Sequence, residues 1–117
     1  MTIRRIGIGK RMSQAVVHGA TVYLAGQVAD KAAGKTVAEQ TREILATIDR
    51  LLAEAGSTKA NILSATIYLA DIKTFAEMNA VWDDWAPQGH TPARATVEAS
   101  LAAPQYTVEI ACIAATD

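Results

Sequence analysis

The stretch ILSATIYLADIKTFAEMNAVWDDWA, residues 62–86, predicts a β-strand that runs directly into an α-helix. Apolar side chains alternate along residues 62–70, which is the period of a strand. One predicted strand face carries Leu63, Ala65, Ile67 and Leu69. Asp71 then stands at the position of a helix cap, and a helix is predicted over residues 72–86. Its apolar stripe, which we assign to the hydrophobic core, consists of Phe75, Met78, Trp82 and Trp85.

The segments on either side of this unit extend the pattern. Residues 15–18 and 21–25 are short apolar runs split by a glycine and an alanine, and they predict a β-hairpin. Apolar residues at helical spacing predict a helix over residues 37–55. Residues 93–99 and 106–115 predict two further strands. The chain therefore combines strands with two amphipathic helices.

The predicted sheet has a second face that nothing in the chain covers. Two amphipathic helices can cover one face of one sheet, whereas the other face also carries apolar residues. An exposed apolar sheet face is typical of contact with partner subunits. Layering alone therefore predicts an oligomer.

Composition is consistent with one small globular domain, residues 1–117. Half of the residues are hydrophobic and 20% are charged, which argues against a disordered or membrane-spanning chain. The formal net charge of −1 is a poor electrostatic match for nucleic acid. The N-terminus lacks the apolar segment of a secretory signal, and no run approaches the roughly 18 apolar residues of a membrane span. We expect a cytoplasmic protein that binds neither nucleic acid nor membranes.

Metal and nucleotide chemistry find little support in the sequence. His18, His90 and Cys112 do not stand at ligand spacing from one another, so we predict no metal site. Cys112 lies within an apolar strand and is predicted to be a buried structural thiol. Residues 29–36, ADKAAGKT, satisfy a relaxed phosphate-loop pattern, but a single glycine does not provide close backbone approach to phosphates. We predict a solvated turn there.

Two charged residues are notable because they lie within otherwise apolar strands. Arg94 lies in TPARATVEA and Glu109 in YTVEIACIAA. An arginine in such a strand needs a partner, since desolvating an unpaired charge is costly. One interpretation is an Arg–Glu salt bridge inside an interface. The other is a site in which Arg94 binds a substrate carboxylate through two parallel hydrogen bonds and Glu109 activates a water as general base.

From about Met12 to the end, the sequence resembles the RidA/YjgF family and is closest in pattern to its YoaB-like branch. The resemblance rests on blocks that follow one another at fitting spacing. They are SQAVVHG (13–19), AGQ (25–27), AGSTKANILSATIYLADIKTFAEMN (55–79), PARATVEASL (92–101) and VEIACIA (108–114). The run WDDWAPQGHTPAR (82–94) carries the likeness to the YoaB-like branch.

The resemblance implies a chorismate-mutase-like α+β fold, in which a mixed β-sheet carries two helices on one face. It implies a homotrimer with active sites in the clefts between subunits. It also implies hydrolysis of reactive 2-imino acids and their enamine tautomers, such as 2-aminoacrylate and 2-iminopropanoate, to 2-keto acids and ammonia. No cofactor is implied.

Individual residues match positions with known roles in the family. Arg94 matches the arginine that binds the substrate carboxylate, and Glu109 matches the glutamate that positions the attacking water. Thr96 stands where a backbone carbonyl contacts the imine nitrogen. Gly26 would line the pocket through its backbone, and Asn79 matches an asparagine near the cleft. For the last two, the alternative is structural: a tight backbone approach at the glycine, and a hydrogen bond from the asparagine to its own helix end.

Two positions depart from the central branch of the family. Met12 stands in the place of a tyrosine and Ala25 in the place of a serine, so the resemblance implies that two hydroxyls leave the pocket wall. We expect hydrolysis to persist and the more apolar wall to favour bulkier apolar imino acids. The alternative functions are a non-catalytic trimer that binds small carboxylates such as keto acids, and RNA cleavage, which the net charge disfavours.

Overall fold

The computed structural model describes residues 2–116, so Met1 and Asp117 of the predicted domain lie outside the described residues. The strands are β1 Ile3–Ile8, β2 Ser13–His18, β3 Thr21–Leu24, β4 Ile62–Leu69, β5 Ala93–Glu98 and β6 Val108–Ala115. The helices are α1 Val37–Glu54 and α2 Phe75–Trp85, with short 3-10 turns at Lys59–Asn61 and Ile72–Thr74. One sheet contains the strands in the order β1-β2-β3-β6-β4-β5.

The sheet is mixed because of the connection between β4 and β5. These two strands are parallel, since the chain crosses over through α2 before it returns. The other neighbouring pairs are antiparallel, including the predicted hairpin of β2 and β3. This architecture confirms the predicted fold class. β5 has only one neighbour, so it is an edge strand.

Helix α1 covers one face of the sheet with the predicted apolar stripe. Thr36 caps its N-terminus, since the Thr36 hydroxyl accepts a hydrogen bond from the Glu39 N–H at 3.2 Å. Gln40, which the apolar pattern did not indicate, is fully buried within this stripe. Its amide bridges the Gln105 carbonyl and the Thr107 N–H, so α1 is tied to the segment before β6. Neither α1 nor α2 is long and apolar enough to cross a membrane.

Two predictions about the apolar residues were wrong. Leu63 is 54% exposed and Ile62 takes the buried position, because a β-bulge between Ile62 and Ser64 shifts the register of β4. Phe75 is not a core residue, since it is 40% exposed at the start of α2. Met78 and Trp82 of the same stripe are buried as predicted.

The sheet therefore has two distinct faces. The helix face carries Ala65 and Cys112, which are register partners on β4 and β6 and are buried under the helices. The opposite side, called the open face below, carries Tyr23 and Ile113, which are register partners on β3 and β6. Both are more than one third exposed, as is Val97 of β5 on the same face. The uncovered apolar face predicted from layering is present in the single chain.

Candidate active site

Arg94 lies on the helix face at the edge of the sheet. Its register partner on β4 is Ala65, and the side chain extends over the aromatic rings of α2. The guanidinium carbon lies 5.2 Å from the centroid of Trp82 and 5.9 Å from that of Phe75. Within residues 2–116, no carboxylate lies within 4.0 Å of this exposed guanidinium. Cation–π attraction to the rings does not use the guanidinium N–H groups as hydrogen-bond donors, so these groups stay available to a planar anion.

Two buried polar atoms belong to the same side of the sheet. Thr96 follows Arg94 by two residues on β5, and therefore points to the same face. Asn79 lies on α2 four residues after Phe75 and three before Trp82, so it shares their side of the helix. Asn79 Oδ1 and Thr96 Oγ1 are both buried without a hydrogen-bond partner in the described chain. Because such atoms are costly to leave unpaired, they indicate a place where a ligand or water binds.

The structural alternative for Asn79 receives no support from these contacts. A hydrogen bond from the side chain to its own helix end is absent among residues 2–116, and the amide oxygen has no partner there. Glu98, the next residue along the same face of β5, is engaged elsewhere, because its carboxylate accepts the Ile72 N–H at 3.0 Å. Arg94, Thr96 and Asn79 thus form one group, which we call the arginine half-site.

Glu109 lies at a second place, on the open face. Its register partner is Tyr68 of β4, and its side chain lies directly over Gly26. A Cβ atom at Gly26 would overlap Oε2 of Glu109 and would also lie 2.9 Å from its Cδ. The glycine is therefore needed for the close approach of this carboxylate to the backbone. No salt bridge to Glu109 occurs within residues 2–116.

Ala25 and Met12, the two positions that depart from the family pattern, lie just after β3 and just before β2. Ala25 precedes Gly26, and its N–H donates to the Gln14 carbonyl at 2.9 Å, which fixes it beside the start of β2. Met12 lies in the turn just before β2 and is 48% exposed. Ala25, Gly26 and Glu109 form the second group, which we call the glutamate half-site, and the place of Met12 in the pocket wall stays a prediction.

The two half-sites lie on opposite faces of the same sheet. In the register of β4, Arg94 pairs with Ala65 on the helix face, whereas Glu109 pairs with Tyr68 on the open face. Successive strand residues point to opposite faces, so a spacing of three residues along β4 places the two charges on different sides. Arg94 and Glu109 therefore cannot meet within one chain. A salt bridge or a shared site between them requires two copies.

Thiol, phosphate-binding and metal chemistry are disfavoured by the surroundings of the residues that would carry them. Cys112 is buried as predicted, and burial raises the pKa of its thiol to about 12, so it is a neutral thiol near pH 7. Residues 30–35 form the predicted turn. At the helix start that follows, the Ala38 N–H donates to Glu77 and the Glu39 N–H to Thr36, so these donors are already used. Within residues 2–116, no cluster of three His, Cys, Asp or Glu side chains could hold a metal ion.

The sequence did not indicate that aromatic rings of α2 contact Arg94. Phe75 and Trp82 were assigned to the core because they follow the helical period. Their spacing of seven residues does carry a signal, since it places both rings on one side of α2, although it does not say what lies against them. The roles of the predicted site residues stay predictions.

Known proteins match this chain along nearly its whole length. The family model described as Endoribonuclease L-PSP matches residues 2–116. A RutC family protein from Haemophilus influenzae is 48% identical over 114 residues, which cover 97% of this chain and 98% of that protein. The RutC family protein YoaB of Escherichia coli is 47% identical over 115 residues, covering 98% of this chain and 99% of that protein. The crystal structure of a YjgF family member from Neisseria meningitidis has a TM-score of 0.96 and 50% identity, and the match covers 100% of this chain and 97% of that chain.

Proposed function

Because the chain belongs to the RidA/YjgF family, which the family model describes as Endoribonuclease L-PSP, we propose that it is a cofactor-free deaminase acting on 2-imino acids and their enamine tautomers. The observation that carries the proposal is the arginine half-site. Among residues 2–116, an exposed arginine without a carboxylate partner shares its side of the sheet with two buried polar atoms that also lack partners. Such a group fits a small molecule with a carboxylate and a polar atom next to it.

Arg94 supplies binding and orientation in this proposal. A 2-imino acid carries its carboxylate next to the imine carbon, so two parallel hydrogen bonds from the guanidinium fix both groups together. The positive charge also offsets the negative charge beside the carbon that water attacks. The Asn79 and Thr96 oxygens lie on the same side of the sheet, where the N–H of a protonated imine would satisfy them.

Glu109 acts on the water in this proposal. Its carboxylate takes a proton as the water oxygen bonds to the imine carbon, which gives a tetrahedral amino alcohol. Collapse of this intermediate forms the carbonyl group of the 2-keto acid and breaks the carbon–nitrogen bond. The nitrogen leaves as ammonia with the proton returned from Glu109, while the hydroxyl proton of the intermediate passes to Glu109 and then to solvent. One water is consumed for each imine, and no electron transfer is required.

Each complete site takes its two half-sites from two copies of the chain. This follows in the proposal from the opposite-face positions of Arg94 and Glu109. The apolar open face, with Tyr23, Val97 and Ile113, would provide the contact between copies. We propose a homotrimer whose clefts hold the imino acid.

The first test compares the wild-type chain with Arg94→Ala in a trapping assay. An amino-acid oxidase generates 2-imino acids in place, semicarbazide traps them, and the protein competes for them. We expect Arg94→Ala to lower kcat/KM by about 100-fold, because it removes charge-assisted hydrogen bonds to the substrate. Arg42→Ala serves as the matched control, since Arg42 is an exposed arginine on α1. Loss of the oligomer in Arg94→Ala would instead support an interface salt bridge.

A second test asks whether the half-sites come from different copies. Arg94→Ala and Glu109→Ala chains, each inactive alone, are unfolded together and refolded as a mixture. Mixed oligomers should regain part of the activity, because some clefts then combine an intact Arg94 with an intact Glu109. If the mixture stays as inactive as its components, the shared site is refuted.

The remaining outcomes separate the other candidate functions. Wild-type protein that binds a keto acid but leaves the trapping rate unchanged would be a carboxylate-binding oligomer rather than an enzyme. RNA cleavage by the wild type that Arg94→Ala abolishes would overturn the deaminase proposal in favour of the activity named in the family description.

A further inference from the structure

The guanidinium of Arg94 rests on a surface made by two rings. Its carbon lies 5.2 Å from the centroid of Trp82 and 5.9 Å from that of Phe75, and both distances are within the range of cation–π attraction. Trp82 is only 5% exposed, so its ring is held by the core, whereas Phe75 is 40% exposed. We call these two rings the aromatic floor.

The aromatic floor is itself anchored to other elements. The Trp82 ring contacts the Trp85 ring with centroids 5.3 Å apart, at a tilt of 56°. The Trp85 indole N–H donates to Asp49 of α1 at 3.0 Å. Lys59 donates to the Trp85 carbonyl at 2.6 Å, and its ammonium lies 5.2 Å from the centroid of the Trp85 ring. A continuous set of contacts therefore runs from α1 and the turn before β4 to Arg94.

We infer that Trp82, assisted by Phe75, is a positioning residue that holds the Arg94 guanidinium in the orientation that binds a carboxylate. The inference rests on the proposed function and assigns a role to residues outside the two half-sites. An arginine side chain on an edge strand has many rotamers, and ordering it at the moment of binding would weaken binding. The aromatic floor restricts the position of the cation before the ligand binds. The N–H edge stays available to the ligand.

The test uses the full-length oligomer and a readout that belongs to Arg94 itself. The Nε–H resonance of Arg94, assigned by its loss in Arg94→Ala, is followed by NMR while pyruvate is added. In the wild type, ring currents from the aromatic floor should shift this proton upfield. Trp82→Leu should remove most of that shift and weaken pyruvate binding by about 3- to 30-fold, the range expected for a lost cation–π contact. Trp82→Phe keeps a ring and should restore most of both.

Kinetics provide an independent readout of the same inference. Carboxylate binding persists from the bound substrate to the transition state, so Trp82→Leu should raise KM by a factor similar to its effect on pyruvate and change kcat less. Phe75→Leu should act in the same direction with a smaller factor, since its ring is farther from the cation and more exposed. In an Arg94→Ala background, Trp82→Leu should cause no further loss of binding.

Two comparisons make the result decisive. Val81→Ala alters a buried neighbour on α2 and should lower thermal stability while leaving pyruvate affinity unchanged. The inference is overturned if Trp82→Leu leaves the Arg94 resonance and the pyruvate affinity as in the wild type, or if Val81→Ala weakens binding equally. If pyruvate binds, Trp82→Leu weakens it and no imine is hydrolysed, then the positioning role stands and the proposed reaction fails. If the wild type does not bind pyruvate, both fail.

Discussion

Gly26 is the residue whose smallness the glutamate half-site depends on most directly. The Glu109 carboxylate occupies the space that a side chain at position 26 would need. The atom met first is the carboxylate oxygen at the far end of a flexible side chain, so the glutamate can rotate away and the backbone need not move. A substitution at Gly26 should therefore displace the carboxylate more than it disturbs the fold.

We expect Gly26→Ala to lower imine hydrolysis by about 100-fold, within the range for losing a general base, and to change the thermal midpoint only slightly. Trapping assays and thermal melts of the same preparation measure both effects. Adding Gly26→Ala to a Glu109→Ala chain should cause no additional loss, since the overlap no longer exists. A large fall in stability with the carboxylate still in place would contradict this explanation.

The sequence identified single residues where the polarity or reactivity of a side chain contrasts with the apolar strand around it. Arg94 and Glu109 were identified because charges are rare in apolar strands, and Cys112 because an apolar strand buries its side chains. The contact of Phe75 with Arg94 could not be predicted in this way. The helical period shows which residues share one side of α2, but it does not show which of them lie beyond the core. Phe75, at the start of this side, lies beside Arg94 at the edge of the sheet rather than under the centre of the sheet.

Helices and strands with a strong apolar period were predicted closely. Features that depend on hydrogen bonding between neighbouring strands were not predicted. Helix α1 was predicted over residues 37–55 and is observed over Val37–Glu54. Strand β1 was not predicted, because IRRIGI lies at the sheet edge with mostly exposed side chains and has no buried face to create a pattern. The bulge in β4 was also missed, since apolar residues at both 62 and 63 allow either register.

The start of α1 offers a test at this scale. Thr36→Ala removes the hydroxyl that accepts the Glu39 N–H, and we expect a loss of about 1 kcal/mol in the free energy of unfolding. Urea unfolding followed by circular dichroism measures this change. Thr36→Ser keeps the hydroxyl and should retain most of the stability. The effect on pyruvate binding should be negligible, and a marked loss of binding would mean that this helix end belongs to the site.

At the scale of the whole molecule, the proposed function makes the apolar open face the contact that completes each site. Tyr23, Val97 and Ile113 are too exposed to stabilise the single chain, and the helices lie on the other side of the sheet. The sequence predicted this imbalance by counting layers. It could not predict that the imbalance also divides the candidate site, because that depends on the register between β4, β5 and β6.

We expect Ile113→Lys to abolish assembly and activity together while the chain stays folded. Ile113 is 38% exposed in the single chain, so a lysine there is tolerated in isolation and disfavoured in an apolar contact between copies. Light scattering after size-exclusion chromatography gives the oligomeric state. Ala46→Lys, on the exposed surface of α1, is the matched control and should stay assembled. An active monomer of Ile113→Lys would refute the division of the site between copies.

The opposite-face placement of Arg94 and Glu109 also has a genetic consequence. A chain that carries Arg94→Ala and Glu109→Ala together would contribute a defective half to the cleft on each of its two sides. Expressed beside intact chains, it would inactivate clefts that its neighbours could otherwise have completed. Such an allele should be dominant over the wild type, with an effect larger than its share of the protein, whereas either single substitution should interfere less.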